Sequence, residues 1–165
     1  MKTKLRIVES ALLAPVSSFL KGQGCMSLVP ELRFFDRGID IYAYAEQAQC
    51  SYAVELKLTD WQKALRQAAI YQLCADLCYV AMPSDSVAKA DVSEFEQAGV
   101  GLLSVQLSSK AVTELLAAKT SVVKSQFYSH CFYQSLSQGG YKRASTRAVP
   151  SHGITRGKTI CTKNS

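Results

Sequence analysis

Residues 39–61, IDIYAYAEQAQCSYAVELKLTDW, decide the fold because two alternating runs flank a short polar turn. Side chains of a strand point alternately to its two faces, so each run predicts a strand with one apolar face. Two such strands joined by so short a turn are expected to pair antiparallel. In the first run one face would carry Ile39, Ile41 and Ala43, and the other Asp40, Tyr42 and Tyr44. In the second run one face would carry Val54, Leu56 and Leu58, and the other Ala53, Glu55 and Lys57.

The flanking sequence extends this hairpin in both directions. A strand interrupted by Pro30 precedes it, which predicts an edge position or a bulge, and a helix with a capping box from Thr59 to Gln62 follows it. Periodicity predicts helices at 4–22, 59–75, 86–98 and 110–123, and strands at 25–35, 39–45, 52–58, 77–83 and 100–107. The fold class is therefore α/β (α+β), with a three-layer core and a mixed central sheet flanked by helices.

Composition indicates one globular domain without a membrane segment. The chain has 165 residues, of which 48% are hydrophobic and 19% charged. Its six cysteines lack the spacing of a zinc site and are expected to be reduced thiols, which favours a cytoplasmic location. We expect residues 1–125 to form the domain and residues 126–165 to form a C-terminal extension.

Basic residues concentrate at the C-terminus. From about residue 139 the chain carries six Lys and Arg and no acid, and this segment accounts for the whole net charge of +6. A flexible tail of this charge suits a polyanion such as nucleic acid, although a solubilising tail has the same composition. The residues expected to contact nucleic acid are Lys142, Arg143, Arg147, Arg156 and Lys158.

Asp40, Glu55 and Lys57 form a candidate catalytic constellation. If the hairpin register brings Asp40 near Glu55, the two carboxylates repel each other unless a cation joins them, and hard oxygen ligands suit Mg²⁺ or Mn²⁺. Lys57 would stand beside a metal-bound water, where desolvation and the cation would lower its pKa, and it would act as a general base or orient the nucleophile. The alternative is a solvated strand face carrying a surface ion pair between Glu55 and Lys57.

Three further side chains belong to the candidate site. Gln67 and Tyr71 are spaced i, i+4 on the helix that follows the second strand, so they share a face that packs back on the sheet. Glu9 lies on or beside the apolar face of the first helix, between Leu5 and Leu12. An amide and a phenol near the carboxylates could orient Lys57 or reach a phosphate, although such pairs also edge ordinary cores.

In this order and spacing, the residues resemble the PD-(D/E)xK nuclease superfamily, which includes restriction enzymes, junction resolvases and phage recombination exonucleases. The resemblance covers roughly residues 5–106 in the family's α-β-β-β-α-β order. Asp40 matches the metal-binding Asp, Glu55-Leu56-Lys57 matches the (D/E)xK element, and Gln67 with Tyr71 matches the Q-x-x-x-Y motif. The resemblance implies a restriction-endonuclease-like core in which Asp40, Glu55, the Leu56 carbonyl and the first-helix acid, Glu9, bind the metal. Ile39 stands where the family often has proline.

The sequence therefore predicts a metal-dependent nuclease that hydrolyses DNA, with a homodimer as one expected assembly. One alternative is a catalytically inactive nucleic-acid-binding or assembly module on the same fold. Another is an unrelated α/β protein in which Glu55 and Lys57 are merely a solvated pair.

Overall fold

A six-stranded mixed sheet forms the centre of the computed structural model, which describes residues 8–137. Neighbouring strands follow the order of the chain from one edge to the other. The strands are β1 Cys25–Phe34, β2 Arg37–Ala45, β3 Cys50–Leu56, β4 Leu77–Pro83, β5 Gly101–Gln106 and β6 Ala111–Leu116. Pairing is antiparallel from β1 to β3, parallel from β3 to β5, and antiparallel again between β5 and β6.

Helices cover both faces of the sheet and complete a three-layer α+β fold. A 3₁₀ turn, Glu9–Leu12, leads into α1, Leu13–Gly22. The other helices are α2 Trp61–Tyr71, α3 Ser84–Val87, α4 Val92–Ala98 and α5 Gln126–Ser137. One core lies between the sheet and α1, where Leu12, Val16 and Leu20 are fully buried. The other lies beneath α2, α4 and α5 and contains Tyr71, Phe95 and Phe132.

The predicted meander and the order α-β-β-β-α-β are both confirmed. Pro30 lies in β1, at the edge of the sheet, where a missing N–H interrupts no inner ladder, as the sequence predicts. Pro15 lies in the first turn of α1, where it is tolerated because that turn's amides have no partner within the helix. Parallel strands need long crossovers, and α2 and α4 provide those from β3 to β4 and from β4 to β5.

The alternation of side chains breaks at one point of β1 and β2, contrary to the sequence prediction. Ile41 and Ala43 pack on the α1 side, whereas Ile39 packs on the α2 side. Opposite this point Glu31 has a φ of 52°, a left-handed conformation that non-glycine residues rarely adopt. A residue in that conformation shifts which side chains face each side of the strand, and Asp40 lies across from it, between the pairs Pro30–Ile41 and Leu32–Ile39.

Several predicted boundaries are wrong, and the prediction of a helix over 110–123 is wrong in type. Residues 111–116 form β6 instead, because pairing with β5 satisfies their backbone and overrides the helical preference of Leu and Ala. The helix expected over 86–98 is divided into α3 and α4, and Asp91 caps the second by accepting a hydrogen bond from the Ser93 N–H. The cap of α2 is Asp60 rather than Thr59: its Oδ1 accepts from the Lys63 N–H at 3.0 Å.

The expected boundary near residue 125 falls just before α5. This helix packs on β1 through aromatic contacts, in which Phe34 meets Tyr128 and Phe132 with ring centroids 5.3 and 5.5 Å apart. The predicted nucleic-acid contacts Lys142, Arg143, Arg147, Arg156 and Lys158 lie outside the described residues. Within residues 8–137, no helix is long and apolar enough to cross a membrane.

Candidate active site

The register between β2 and β3 brings Asp40 and Glu55 together. Ile41 pairs with Val54, so the next position along the two strands sets Asp40 across from Glu55. Burial and the charge of Asp40 raise the pKa of Glu55, whereas burial and the charges of Glu9 and Glu31 raise the pKa of Asp40. The condition on which the metal hypothesis depended, that the hairpin register places the two acids side by side, is therefore fulfilled.

Glu55 is a buried carboxylate, with only 3% of its surface exposed. Its Oε2 accepts a hydrogen bond from the Tyr71 hydroxyl at 2.7 Å, and that hydroxyl also lies 2.9 Å from the Gly38 carbonyl oxygen. Desolvation, followed by the charge of Asp40, raises the pKa of Glu55 to about 7, although the hydrogen bond from Tyr71 opposes this. Glu55 is thus poised to exchange a proton near neutral pH, unlike an ordinary surface glutamate.

Asp40 is half-buried and is held by the backbone of the neighbouring strand. Its Oδ2 accepts a hydrogen bond from the Leu56 N–H at 2.7 Å, beyond the last regular β2–β3 pair. Burial raises the pKa of Asp40; the Leu56 N–H lowers it, and the charge of Glu9 raises it further. Asp40 and Leu56 line a cavity of about 330 Å³ that Glu9 and Glu31 also border.

Lys57 lies one residue beyond the end of β3, rather than inside the strand as predicted. Its Nζ lies 3.1 Å from Glu9 Oε1, so the first-helix acid does reach the site. Burial lowers the pKa of Lys57, as expected, but the hydrogen bond to Glu9 and the charges of Glu9, Glu55 and Asp40 outweigh burial and raise it. Lys57 is a charged ammonium held beside the carboxylates in the metal-free protein.

The interpretation of Glu55 and Lys57 as a solvated strand pair is wrong. Glu55 is buried under α2 against Tyr71, and the salt bridge of Lys57 is to Glu9, not Glu55. A surface ion pair would leave both side chains in water and their pKa values close to normal. The two residues instead belong to a cluster of carboxylates and one ammonium, which extends from buried Glu55 to the more exposed Glu9.

Tyr71 and Gln67 occupy the helix face predicted for them. Burial and the adjacent Glu55 raise the pKa of Tyr71 well above its usual value, so its hydroxyl stays protonated and donates. Gln67 lies one turn earlier on α2, and its Oε1 is buried without a hydrogen-bond partner within residues 8–137. Buried polar atoms are rarely left unpaired, so the side of α2 that carries Gln67 is short of one donor.

Glu31 was missed by sequence analysis. The β1–β2 register pairs Pro30 with Ile41 and Leu32 with Ile39, which sets Glu31 across from Asp40. Glu31, Asp40 and Glu55 therefore follow one another across three neighbouring strands. Counting back from the β1–β2 turn could have located Glu31, since both strands and their connecting turn were recognised.

The donor set fits a divalent cation held by few protein ligands. Within residues 8–137 no three His, Cys, Asp or Glu side chains are arranged to hold a metal ion by themselves. Mg²⁺, however, is commonly bound through one or two carboxylates, with waters and phosphate oxygens completing its shell. Burial and the charge of Asp40 raise the pKa of Glu55, burial and the charges of Glu9 and Glu31 raise that of Asp40, and a cation among these carboxylates would relieve the repulsion. The Leu56 carbonyl lies in the strand segment that joins Glu55 to Lys57.

Comparison with known proteins identifies a shared fold. No family model matches the chain, and no curated protein matches it. A solved structure of a protein of unknown function from Silicibacter pomeroyi is similar, with a TM-score of 0.62 over 81% of this chain and 86% of that chain. The two sequences are 15% identical, so the similarity concerns the fold alone.

Proposed function

We propose that this protein is a divalent-metal-dependent nuclease of the PD-(D/E)xK type that hydrolyses DNA phosphodiester bonds in the cytoplasm. The observation that carries the proposal is the opposition of Asp40 and buried Glu55 on neighbouring strands, with the Lys57 ammonium at the end of the same strand. DNA repair, recombination and restriction are the settings in which such a reaction is used, and a homodimer would present one site to each strand of a duplex.

Each residue has a part in this proposal. Asp40, Glu55 and the Leu56 carbonyl would hold Mg²⁺ or Mn²⁺, which supplies a polarised water and neutralises charge on the phosphate. Tyr71 fixes the carboxylate of Glu55 through its hydroxyl. Lys57 either accepts a proton from the attacking water as a neutral amine, or, as a protonated ammonium, orients that water. Both roles require an amine beside the carboxylates.

A second candidate function is a nucleic-acid-binding module that does not cleave. One observation favours it: Asp40, Glu55 and Lys57 each already bond to a partner within the protein, namely the Leu56 N–H, the Tyr71 hydroxyl and the Glu9 carboxylate. Each of these bonds must be compatible with a metal, or must open, for catalysis to proceed. A binding module would use the same fold without that requirement.

The test compares wild-type protein with Asp40→Asn and Lys57→Ala on linear, nicked, single-stranded and branched DNA. Each reaction is run in Mg²⁺, Mn²⁺ and EDTA. Asparagine keeps an oxygen for the Leu56 N–H, and Lys57 is partly exposed, so both variants should fold with less than about 1 kcal/mol lost from the salt bridge. The matched controls are Asp85→Asn and Lys89→Ala, which change an exposed acid and an exposed lysine near α3.

We expect metal-dependent cleavage by wild type and both controls, and at least about a 100-fold loss in each site variant. Binding of DNA without cleavage by any form would favour the binding module. If the protein neither binds nor cleaves DNA, both functions are contradicted. If cleavage survives in Lys57→Ala, the assigned role of the amine is excluded.

A further inference from the structure

A second cavity, of about 390 Å³, is lined by Asp36, Arg37, Lys63, Arg66 and Gln67. Asp36 lies in the turn between β1 and β2, Arg37 is the first residue of β2, and the other three come from α2. Lys63, Arg66 and Gln67 are spaced three and four apart, so they share one face of that helix. The cavity is thus formed where a sheet turn meets the helix that packs on the sheet.

The charge of this cavity is strongly positive. Three cations line it against one carboxylate, and Arg37 Nε lies 3.3 Å from Asp36 Oδ1, where Asp36 is 83% exposed. An ion pair exposed to this degree neutralises little of the arginine. Within residues 8–137, Lys63 and Arg66 form no salt bridge, so the cavity keeps both of these charges and part of that of Arg37. Arginine and lysine together in a concave site are the groups that bind phosphate oxygens.

Gln67 also borders the cavity, and its hydrogen-bonding requirement differs from that of the cations. Its Oε1 is buried and finds no donor within residues 8–137, although its side chain borders the cavity. A buried acceptor of this kind needs a water or ligand group to complete it. A phosphodiester oxygen is itself an acceptor, so a bridging water would satisfy the amide oxygen, and the cations alone would hold the phosphate.

The cavity adjoins the candidate active site along α2. Lys63, Gln67 and Tyr71 are spaced four residues apart and form a row on the helix, and the Tyr71 hydroxyl contacts Glu55. Arg37 directly precedes Gly38, whose carbonyl oxygen lies 2.9 Å from the same hydroxyl. The cationic side chains are thus linked to Glu55 through one helix and one strand end, by way of the Tyr71 hydroxyl.

We propose that this cavity is a phosphate-binding subsite, in which Arg37, Lys63 and Arg66 hold a phosphate of the nucleic-acid strand next to the one at the carboxylates. The inference rests on the proposed function, because it names how that substrate is positioned. Either an internal phosphodiester or a terminal phosphate supplies the same oxygens. The subsite would set the register of the strand relative to Asp40 and Glu55, and carries no base specificity.

The test measures binding to a labelled single strand in EDTA, so that no cleavage is needed. The full-length variant Lys63→Gln/Arg66→Gln is compared with Lys21→Gln/Lys89→Gln, which removes two exposed lysines elsewhere. Each phosphate contact contributes about 0.7 to the slope of log affinity against log salt for single strands. We therefore expect the cavity variant to lose about 1.4 from that slope, and the control to keep the wild-type slope.

Three DNA substrates identify the source of the phosphate. A slope reduced equally on closed circular, unphosphorylated linear and 5′-phosphorylated linear strands assigns an internal phosphodiester. A reduction confined to the phosphorylated strand assigns a terminal phosphate. An unchanged slope on all three overturns the subsite, as does an equal loss of affinity for a phosphate-free acidic peptide, which would assign the cavity to acidic proteins.

Cleavage in Mg²⁺ separates this inference from the proposed function. If Asp40→Asn abolishes cleavage while Lys63→Gln/Arg66→Gln binds like wild type, the nuclease stands and the subsite fails. If no form cleaves but the cavity variant has the reduced slope, the subsite stands and the nuclease fails.

Discussion

Replacement of Glu55 by glutamine isolates the cost of burying a carboxylate at this position. Glutamine has nearly the same shape and keeps an oxygen to accept the hydrogen bond from Tyr71. It cannot ionise, so it removes both the desolvation of the charge and the repulsion from Asp40. In the metal-free protein the variant should therefore be more stable than wild type, although only above a certain pH.

The magnitude follows from the raised pKa of Glu55. Burial and Asp40 raise this pKa from 4.5 to about 7, and each pH unit between the two values is worth about 1.36 kcal/mol. In this window the native state keeps a proton that the unfolded state has lost, so the free energy of unfolding falls as pH rises. Below pH 4.5 protonated Glu55 makes its full contribution to the free energy of unfolding of wild type. Roughly 3 kcal/mol of that contribution is lost by the time the pH passes 7.

Denaturant unfolding in EDTA at pH 4.5 and pH 8 measures the effect. Glu55→Gln should match wild type at pH 4.5 and exceed it by roughly 3 kcal/mol at pH 8. Exposed Glu46→Gln serves as the control and should change stability by less than about 0.5 kcal/mol at both values. At pH 8, a free Mg²⁺ concentration one hundred times the dissociation constant for Mg²⁺ should stabilise wild type by about 2.7 kcal/mol. The same concentration should not stabilise Glu55→Gln.

The result that would refute this reasoning is a Glu55→Gln variant that is less stable than wild type by the same amount at both pH values. Glu55 would then be an ordinary buried acid whose hydrogen bonds fully compensate its charge. The carboxylate pair would in that case need no cation.

Two further predictions concern the groups that hold Glu55 and Lys57. Tyr71→Phe removes a hydrogen bond that lowers the pKa of Glu55, so the acidic limb of the pH–rate profile in Mg²⁺ should move to higher pH. The variant should also lose about 1–2 kcal/mol of stability, because the hydroxyl contacts are removed. An acidic limb that does not move would mean that Glu55 does not control it. Glu9→Gln removes the hydrogen-bonded charge that raises the pKa of Lys57, so the limb that Lys57 controls should move to lower pH. This is the alkaline limb if Lys57 acts as an ammonium and the acidic limb if it acts as the base. Exposed Glu94→Gln should keep the wild-type profile, and a Glu9→Gln profile with neither limb moved would contradict both roles of Lys57.

The candidate site could be predicted from the sequence to the extent that it depends on local pattern. The alternation of β2 and β3, with a short turn between them, is enough to set Asp40 and Glu55 on paired strands. The i, i+4 spacing of Gln67 and Tyr71 is likewise a property of any helix. The predicted function of these residues stays a prediction, because fold similarity alone does not test it.

The errors arose where distant segments determine the structure. Residues 110–123 contain good helix formers, yet β5 offers an unpaired edge and draws residues 111–116 into the sheet. The packing of Phe132 from α5 beneath β1 depends on aromatic side chains about 100 residues apart in the chain. Neither outcome leaves a signal in the local periodicity.

The sequence by itself determined the order of elements, the antiparallel meander and the presence of two acids and an amine within reach of one another, because each depends on short-range backbone preference and periodicity. Only the tertiary structure decided that Glu55 is buried against Tyr71 and that Lys57 is held by Glu9. Those contacts depend on burial and on register between strands, and both are set by the packing of segments far apart in the chain.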